Sequence, residues 1–112
     1  MPRFKLVFFS PTASTQTILK HLFTKYPQHV GKIGQYEGCA FVTKGTGQFT
    51  PGDEANPAIG TRGELEFVEE HRVEVVVNDN GDNNEIKNAI SELKTVHPYE
   101  EVAYDVYRLE DF

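Results

Sequence analysis

The densest group of potential chemistry in this chain is His97-Pro98-Tyr99-Glu100-Glu101, followed closely by Asp105. An imidazole with one or two carboxylates offers the nitrogen and oxygen donors that hold zinc or another divalent ion at about 2.0–2.2 Å. Completing such a ligand set needs Glu69 or His71, or residues of another subunit. The competing reading is structural: His97 caps a helix end, where a cation or N–H donor meets unpaired carbonyls, and the glutamates turn the chain into the next strand. A second candidate is the pair Gly45-Thr46-Gly47 and Asn56-Pro57-Ala58-Ile59-Gly60, whose backbone N–H groups can cradle an anion. That nominates Gly45, Gly47, Asn56 and Gly60 as cofactor-binding positions. The Gly-x-Gly is not followed by a helix start, however, and no GK[ST] signature occurs. Only Lys44 and Arg62 flank the loop, against Asp53, Glu54 and Glu64.

Nucleophilic chemistry is less well served. Cys39 pairs with His29, His71 or His97 only in principle, and a lone cysteine beside Ala40, Phe41 and Val42 reads as an inert core residue. Ser10 and Ser14 lack a base and an orienting group. Glu100 and Glu101, adjacent on a strand, point to opposite faces and do not form a working acid–base pair. No catalytic residue is nominated, and a binding role is expected over an enzymatic one.

At 112 residues the chain is expected to form one domain with its own core. Hydrophobic residues at 38% and charged residues at 25% are an ordinary globular mixture. A net charge of −6, from 11 basic and 17 acidic residues, argues against nucleic acid or an anionic membrane as partner. A single cysteine makes no internal disulfide, which fits a reducing, cytoplasmic setting. The apolar run in MPRFKLVFFS is too short to span a membrane and lacks a small-residue cleavage site, so it is read as a strand.

The elements that must position these residues follow from periodicity. Arg3 to Phe9 alternates as a first strand with one wholly apolar face. Ser10-Pro11 then predicts a helix start, with serine as N-cap and proline at the first helical position. Ile18, Leu19, Leu22, Phe23 and Tyr26 recur at helical spacing, and Pro27 ends that helix. His29 to Tyr36 reads as turns and Gly38 to Lys44 as a second strand. Seven glycines and prolines then punctuate residues 45–63. Two readings stand there: a functional loop ordered by a ligand or partner, or a hairpin whose arms reach beyond the sheet and bend at glycines. Glu64 to Val77 is the cleanest strand, fourteen residues long, with Glu69 and His71 breaking its apolar face. Asn78–Asn84 is a turn cluster ending in an N-cap at Asn84. Ile86, Ala89, Ile90, Leu93 and Val96 stripe a second helix that Pro98 closes, and Val102 to Leu109 is the last strand. The order β-α-β-β-α-β predicts an α+β, ferredoxin-like sandwich with both helices on one face of an antiparallel sheet. Tyr36, Phe41, Tyr104 and Tyr107 are left for the open face. Covering it calls for a homo-oligomer, with the long strands pairing across subunits.

From Gly34 onward, GTGQFTPGDEANPAIGTRGELEFVEEHRVEVVV and HPYEEVAYDVYRLEDF resemble the insert domain of Nif-three-like proteins, and more closely the free-standing YqfO-type proteins built from that domain alone. The resemblance covers about two thirds of the chain. It implies a fold related to the PII signalling proteins and CutA proteins, and assembly as a homotrimer with extended hairpins between subunits. The dinuclear metal site of full-length Nif-three-like proteins sits outside the matching region, so none of its ligands carries over. The expectation is a non-enzymatic, oligomeric binding or regulatory module taking a small ligand or divalent ion in inter-subunit clefts. In it His97, Glu100, Glu101, Glu69 and His71 are the metal candidates. A small metal-dependent, cyclohydrolase-like hydrolase and a purely structural oligomerisation domain are the alternatives.

Overall fold

The computed structural model describes residues 2–112. Alternation carries the first strand, β1 (Arg3–Pro11), into the middle of a four-stranded antiparallel sheet of order β2-β3-β1-β4. The other strands are β2 (Phe41–Phe49), β3 (Glu66–Asn78) and β4 (Tyr104–Leu109). Phe4, Leu6 and Phe8 of β1 and Val73, Val75 and Val77 of β3 share one face. Helix α1 (Thr15–Lys25) brings Ile18, Leu19 and Leu22 onto that face, and α2 (Asn84–Val96) brings Ile86, Ala89 and Leu93. Burying these thirteen core residues with Val30 among them leaves the helices on one side and the sheet's other side open. This is the ferredoxin-like βαββαβ arrangement that the order of elements predicts.

Several boundaries differ from the sequence reading, each for a physical reason. β1 continues through Ser10 and Pro11, which pair with His71 and Glu70, and α1 begins only at Thr15. Pro11 is tolerated because it stands at the strand's end, where a missing N–H costs little. Ser10, fully buried, is no N-cap: its hydroxyl meets that of Thr15. At α2 the residue at the N-cap position is Asn83, in the left-handed region at φ 65°, and its side chain caps nothing. The capping falls to buried Asp79, whose carboxylate accepts the N–H groups of Gly81, Asn83 and Ile86 at 2.8, 2.9 and 3.1 Å. Burial alone would raise the pKa of Asp79, but these bonds outweigh it and hold the carboxyl below its ordinary value.

The largest difference is in the second strand. β2 runs from Phe41 to Phe49, so Gly45 and Gly47 are strand residues paired with Glu70 and Val68. Residues 46–49 and 66–69 continue past the end of β1, which stops opposite Glu70. This hairpin stretches the molecule to 45 × 26 × 25 Å, with a radius of gyration of 14.9 Å, against about 13 Å for a compact chain of this size. Its tip folds back on itself: Gly63 N–H donates to Pro51 O at 2.8 Å, and the Arg62 side chain reaches Ala55 O. Tyr36, Phe41 and Tyr107 are exposed, 50% or more in each case. Tyr104 is not: it packs against the helix-side core, with Lys94 Nζ 5.2 Å from its ring centre.

Candidate functional site

Three sequence-distant segments meet where the hairpin leaves the sheet. β1 ends there with Phe9, β3 passes with Glu70, and the chain from His97 to Ala103 crosses on its way into β4. The crossing is pinned by Phe9 N–H donating to Ala103 O at 3.2 Å and by His97. The folded-back tip, from Thr50 to Ile59, roofs the junction, and between roof and floor lies a cavity of about 380 Å³. Phe9, Phe49, Pro51 and Ile59 give it apolar walls, with Glu70, Glu100 and Glu101 the acidic groups among them. By strand alternation Phe9, Gly47, Phe49 and Glu70 all point to the side of the sheet opposite the helices.

Glu70 organises the floor. Its carboxylate lies across Gly47, where a Cβ would collide with Glu70 Oε1, so glycine is the residue that lets the side chain fold down there. From that position Glu70 Oε2 accepts the Tyr99 hydroxyl at 3.1 Å. Burial, then the hydrogen bond to Glu70 and its charge, push the Tyr99 phenol up to about 12, so it stays a donor at any physiological pH. Glu100 ties roof to rim: its Oε2 accepts the Asn56 N–H at 2.7 Å.

His97 sits behind this junction and holds it. It is buried, and its Nε2 lies 2.7 Å from Phe9 O while its Nδ1 lies 3.1 Å from the Tyr99 nitrogen. A carbonyl only accepts and a backbone N–H only donates, which fixes neutral imidazole with the proton on Nε2. Burial drives its pKa below the ordinary value, although the bond to Phe9 and the charge of Glu70 pull the other way. The helix-capping role foreseen for the side chain is thus replaced by a strand clamp; what the α2 terminus receives is the His97 backbone N–H, given to Leu93 O.

The other candidate residues divide between places. Gly47, Glu100 and Glu101 line the cavity. Asn56 touches it through Glu100, and Gly60, at φ 93°, turns the roof beside Glu66. Glu70 borders both the cavity and a second hollow of about 560 Å³, which Gly45, Glu69 and His71 line with Thr12, Lys44 and Thr46. There His71 Nδ1 meets Thr15 Oγ1 at 2.7 Å, completing a chain of contacts from Ser10. The five metal candidates are therefore not drawn into one set of donors. Among the described residues, the group of three donors within 4.8 Å of one another is Asp79, Asp82 and Glu85, and Asp79 is spent on capping. Cys39 is partly exposed in the loop before β2, its Sγ 3.9 Å from Glu37 O, rather than in a strand core. Glu70 and Tyr99 went unnominated in the sequence. The signal for Tyr99 was its place inside the His97–Glu101 motif, and for Glu70 it was the hairpin register, which sets it opposite Gly45 and next to Gly47.

No protein-family model matches the sequence. The chain is 42% identical over 106 residues to the GTP cyclohydrolase 1 type 2 homologue of Halalkalibacterium halodurans, covering 95% of this chain and 27% of that one. It is 48% identical over 80 residues to the protein of that name from Bacillus subtilis, covering 71% of this chain and 20% of the relative. Among solved structures, a Bacillus cereus protein related to NIF3 superposes with a TM-score of 0.78 at 35% identity, over 98% of this chain and 26% of the other. The divalent cation tolerance protein CutA of Archaeoglobus fulgidus superposes with a TM-score of 0.67 at 14% identity, over 98% of this chain and 86% of CutA. The chain spans about a quarter of the length of the curated relatives it matches, and about six sevenths of CutA.

Proposed function

We propose that this chain, a relative of one segment of the NIF3-type proteins and a sharer of the CutA fold, is a non-enzymatic binding module, assembled from copies of itself. On this reading it takes a small ligand in the cavity between the hairpin tip and the His97–Ala103 crossing. The observation that carries the reading is the junction itself. A roof from residues 50–59, a wall from residues 99–103 and a floor from Phe9 and Glu70 border a half-open cleft of about 380 Å³ of largely apolar space, within the ~300–1,000 Å³ of small-molecule sites. A few polar groups stand in it, with the Tyr99–Glu70 pair fixed in place, as such sites use to orient a ligand.

A regulatory role follows if the ligand holds the roof down, because the roof belongs to the exposed hairpin through which copies would meet. We place the assembly at three copies and the setting in the cytoplasm, in keeping with the resemblance and the single cysteine. A divalent ion is served less well than an organic ligand. His97 has both ring nitrogens engaged, and Glu100 already accepts a backbone N–H, so an ion would have to break the clamp that forms the cavity. For a cyclohydrolase activity His97 would have to serve as the base, and the lone pair on its Nδ1 is already taken by the Tyr99 N–H while its Nε2 proton is given to Phe9 O.

The test is a thermal-shift screen with a library of small fragments, repeated on Ala58→Trp, which places an indole at an exposed cavity-lining position. Binders should raise the melting temperature of the parent chain by mass action, and the shift should vanish in Ala58→Trp while its own melting temperature holds. Shifts that survive in Ala58→Trp would remove the cavity as the site.

A further inference from the structure

Three of the cavity's lining side chains are carboxylates, from Glu70, Glu100 and Glu101, and none is Lys, Arg or His. Three more are aromatic: Phe9, Phe49 and Tyr99. Arg72 is a basic group on this side of the sheet, with its guanidinium 5.8 Å from the Phe9 ring centre, and it lies 3.9 Å from Glu74. Arg62 does not line the cavity, and its Nε donates to the carbonyl of Ala55 in the roof. Carboxylates beside aromatic rings in a partly closed space are the combination that recognises organic cations: the rings present their negative faces, and the acids accept N–H bonds. The same acidic lining repels phosphates and carboxylates, and the two arginines at its edge are each engaged, Arg62 with Ala55 O and Arg72 over Phe9 and beside Glu74.

We propose that the cavity selects small organic cations, an amidinium or ammonium head on an aromatic or short aliphatic body, and discriminates against nucleotides and other anions. The head lies toward Glu70 and Glu101, and the body lies against Phe49, Pro51 and Ile59. Glu70 does most of the selecting. Its carboxylate is held between Gly47 and the Tyr99 hydroxyl, so its position is fixed before the ligand arrives. Glu101 is exposed at the rim and contributes less, because water screens it.

The inference rests on the cavity being the binding site, and titration calorimetry with three planar isosteres tests both levels. Benzamidinium should bind about tenfold or more tightly than neutral benzamide, the difference that one charge-assisted hydrogen bond makes, and benzoate should bind more weakly still. Added salt should reduce the preference. Glu70→Gln, which keeps the shape above Gly47, should cost benzamidinium about tenfold and leave benzamide unchanged. Glu101→Gln, at an exposed rim position, should cost a smaller factor and serves if Glu70→Gln does not fold. Equal binding of the three probes, a preference for benzoate or GTP, or no loss in either variant would overturn the cation selectivity while leaving the cavity as a binding site. Failure of every probe to bind would overturn both.

Discussion

Replacing His97 by alanine removes two hydrogen bonds at once, and the structure allows the cost to be estimated. The imidazole donates to Phe9 O and accepts from Tyr99 N–H, and it does so while buried to 7% exposure. Each bond is worth about 1 kcal/mol net, and the groups it leaves behind are poorly placed to find water, so the loss should be about 2–3 kcal/mol. At roughly 4 °C per kcal/mol for a domain of this size, the melting temperature should fall by about 8–12 °C. Acid should do the same to the intact protein. Protonation puts a second N–H on the ring, at Nδ1, where it would face the N–H of Tyr99. The folded-state pKa is lowered, so the unfolded chain takes up the proton first. The clamp's contribution is complete above the ordinary value of ~6.5 and is lost as the pH falls through the folded value. The assay is calorimetry at fixed protein concentration from pH 8 to pH 4, with long-range ¹⁵N–¹H correlation to report the tautomer. Zinc should not raise the melting temperature through this residue. A His97→Ala protein melting within about 2 °C of the parent, or a His97 that titrates above its ordinary value, would refute the clamp.

Other outcomes follow from the same geometry. Asp79→Ala should cost about 2–3 kcal/mol in urea unfolding, since it strips three backbone N–H groups of their acceptor at the start of α2; its lowered pKa means the stabilisation is present above the unfolded value of ~3.9 and disappears as pH falls through the folded one. Gly47→Ala should push Glu70 aside and release the Tyr99 hydroxyl, so that the phenol held up to about 12 in the parent moves back toward an ordinary tyrosine in an NMR titration of ring-labelled protein. An unchanged Tyr99 would show that Glu70 does not need that glycine. Sedimentation equilibrium at micromolar concentration should give three times the chain mass of 12.7 kDa, and Phe41→Glu with Tyr107→Glu on the open face should reduce it to one. A parent chain that sediments as a monomer would contradict the assembly.

Much of the scaffold was legible because it depends on local pattern. The stripes Ile18, Leu19, Leu22 and Ile86, Ala89, Leu93 are core in the folded chain, and alternation gave the buried faces of the first strand and of the second half of the third, whereas Leu65 and Phe67, at the odd positions of its first half, are exposed where the hairpin runs past β1. What the pattern did not contain were choices made by partners across the fold. Gly45 and Gly47 look like loop residues, yet β3 supplies a strand to pair with, and the Glu70 side chain supplies a reason for glycine. Of the two readings of that stretch, the structure takes the reaching hairpin as far as Phe49, and only the segment beyond it is loop. Ser10-Pro11 carries a good helix-start signature, but Glu70 and His71 keep it in the sheet. Asp79 caps α2 from a turn away, a role that no position-by-position rule assigns. At the candidate site, the His97–Glu101 motif was visible as a unit, while the use to which it is put was not. The identity of the groups that His97 faces, a β1 carbonyl and the N–H of Tyr99, is decided by the crossing into β4.

The most direct test of the central claim is ¹⁵N chemical-shift mapping of the assembled protein during a titration with benzamidinium or the best fragment from the screen. The largest shifts should fall at Gly47, Gly52, Tyr99 and Glu101, which line one cavity from three stretches of sequence. Shifts confined to Thr46, Glu69 and His71 of the hollow on the helix side, or to the Asp79–Glu85 turn, would contradict that claim.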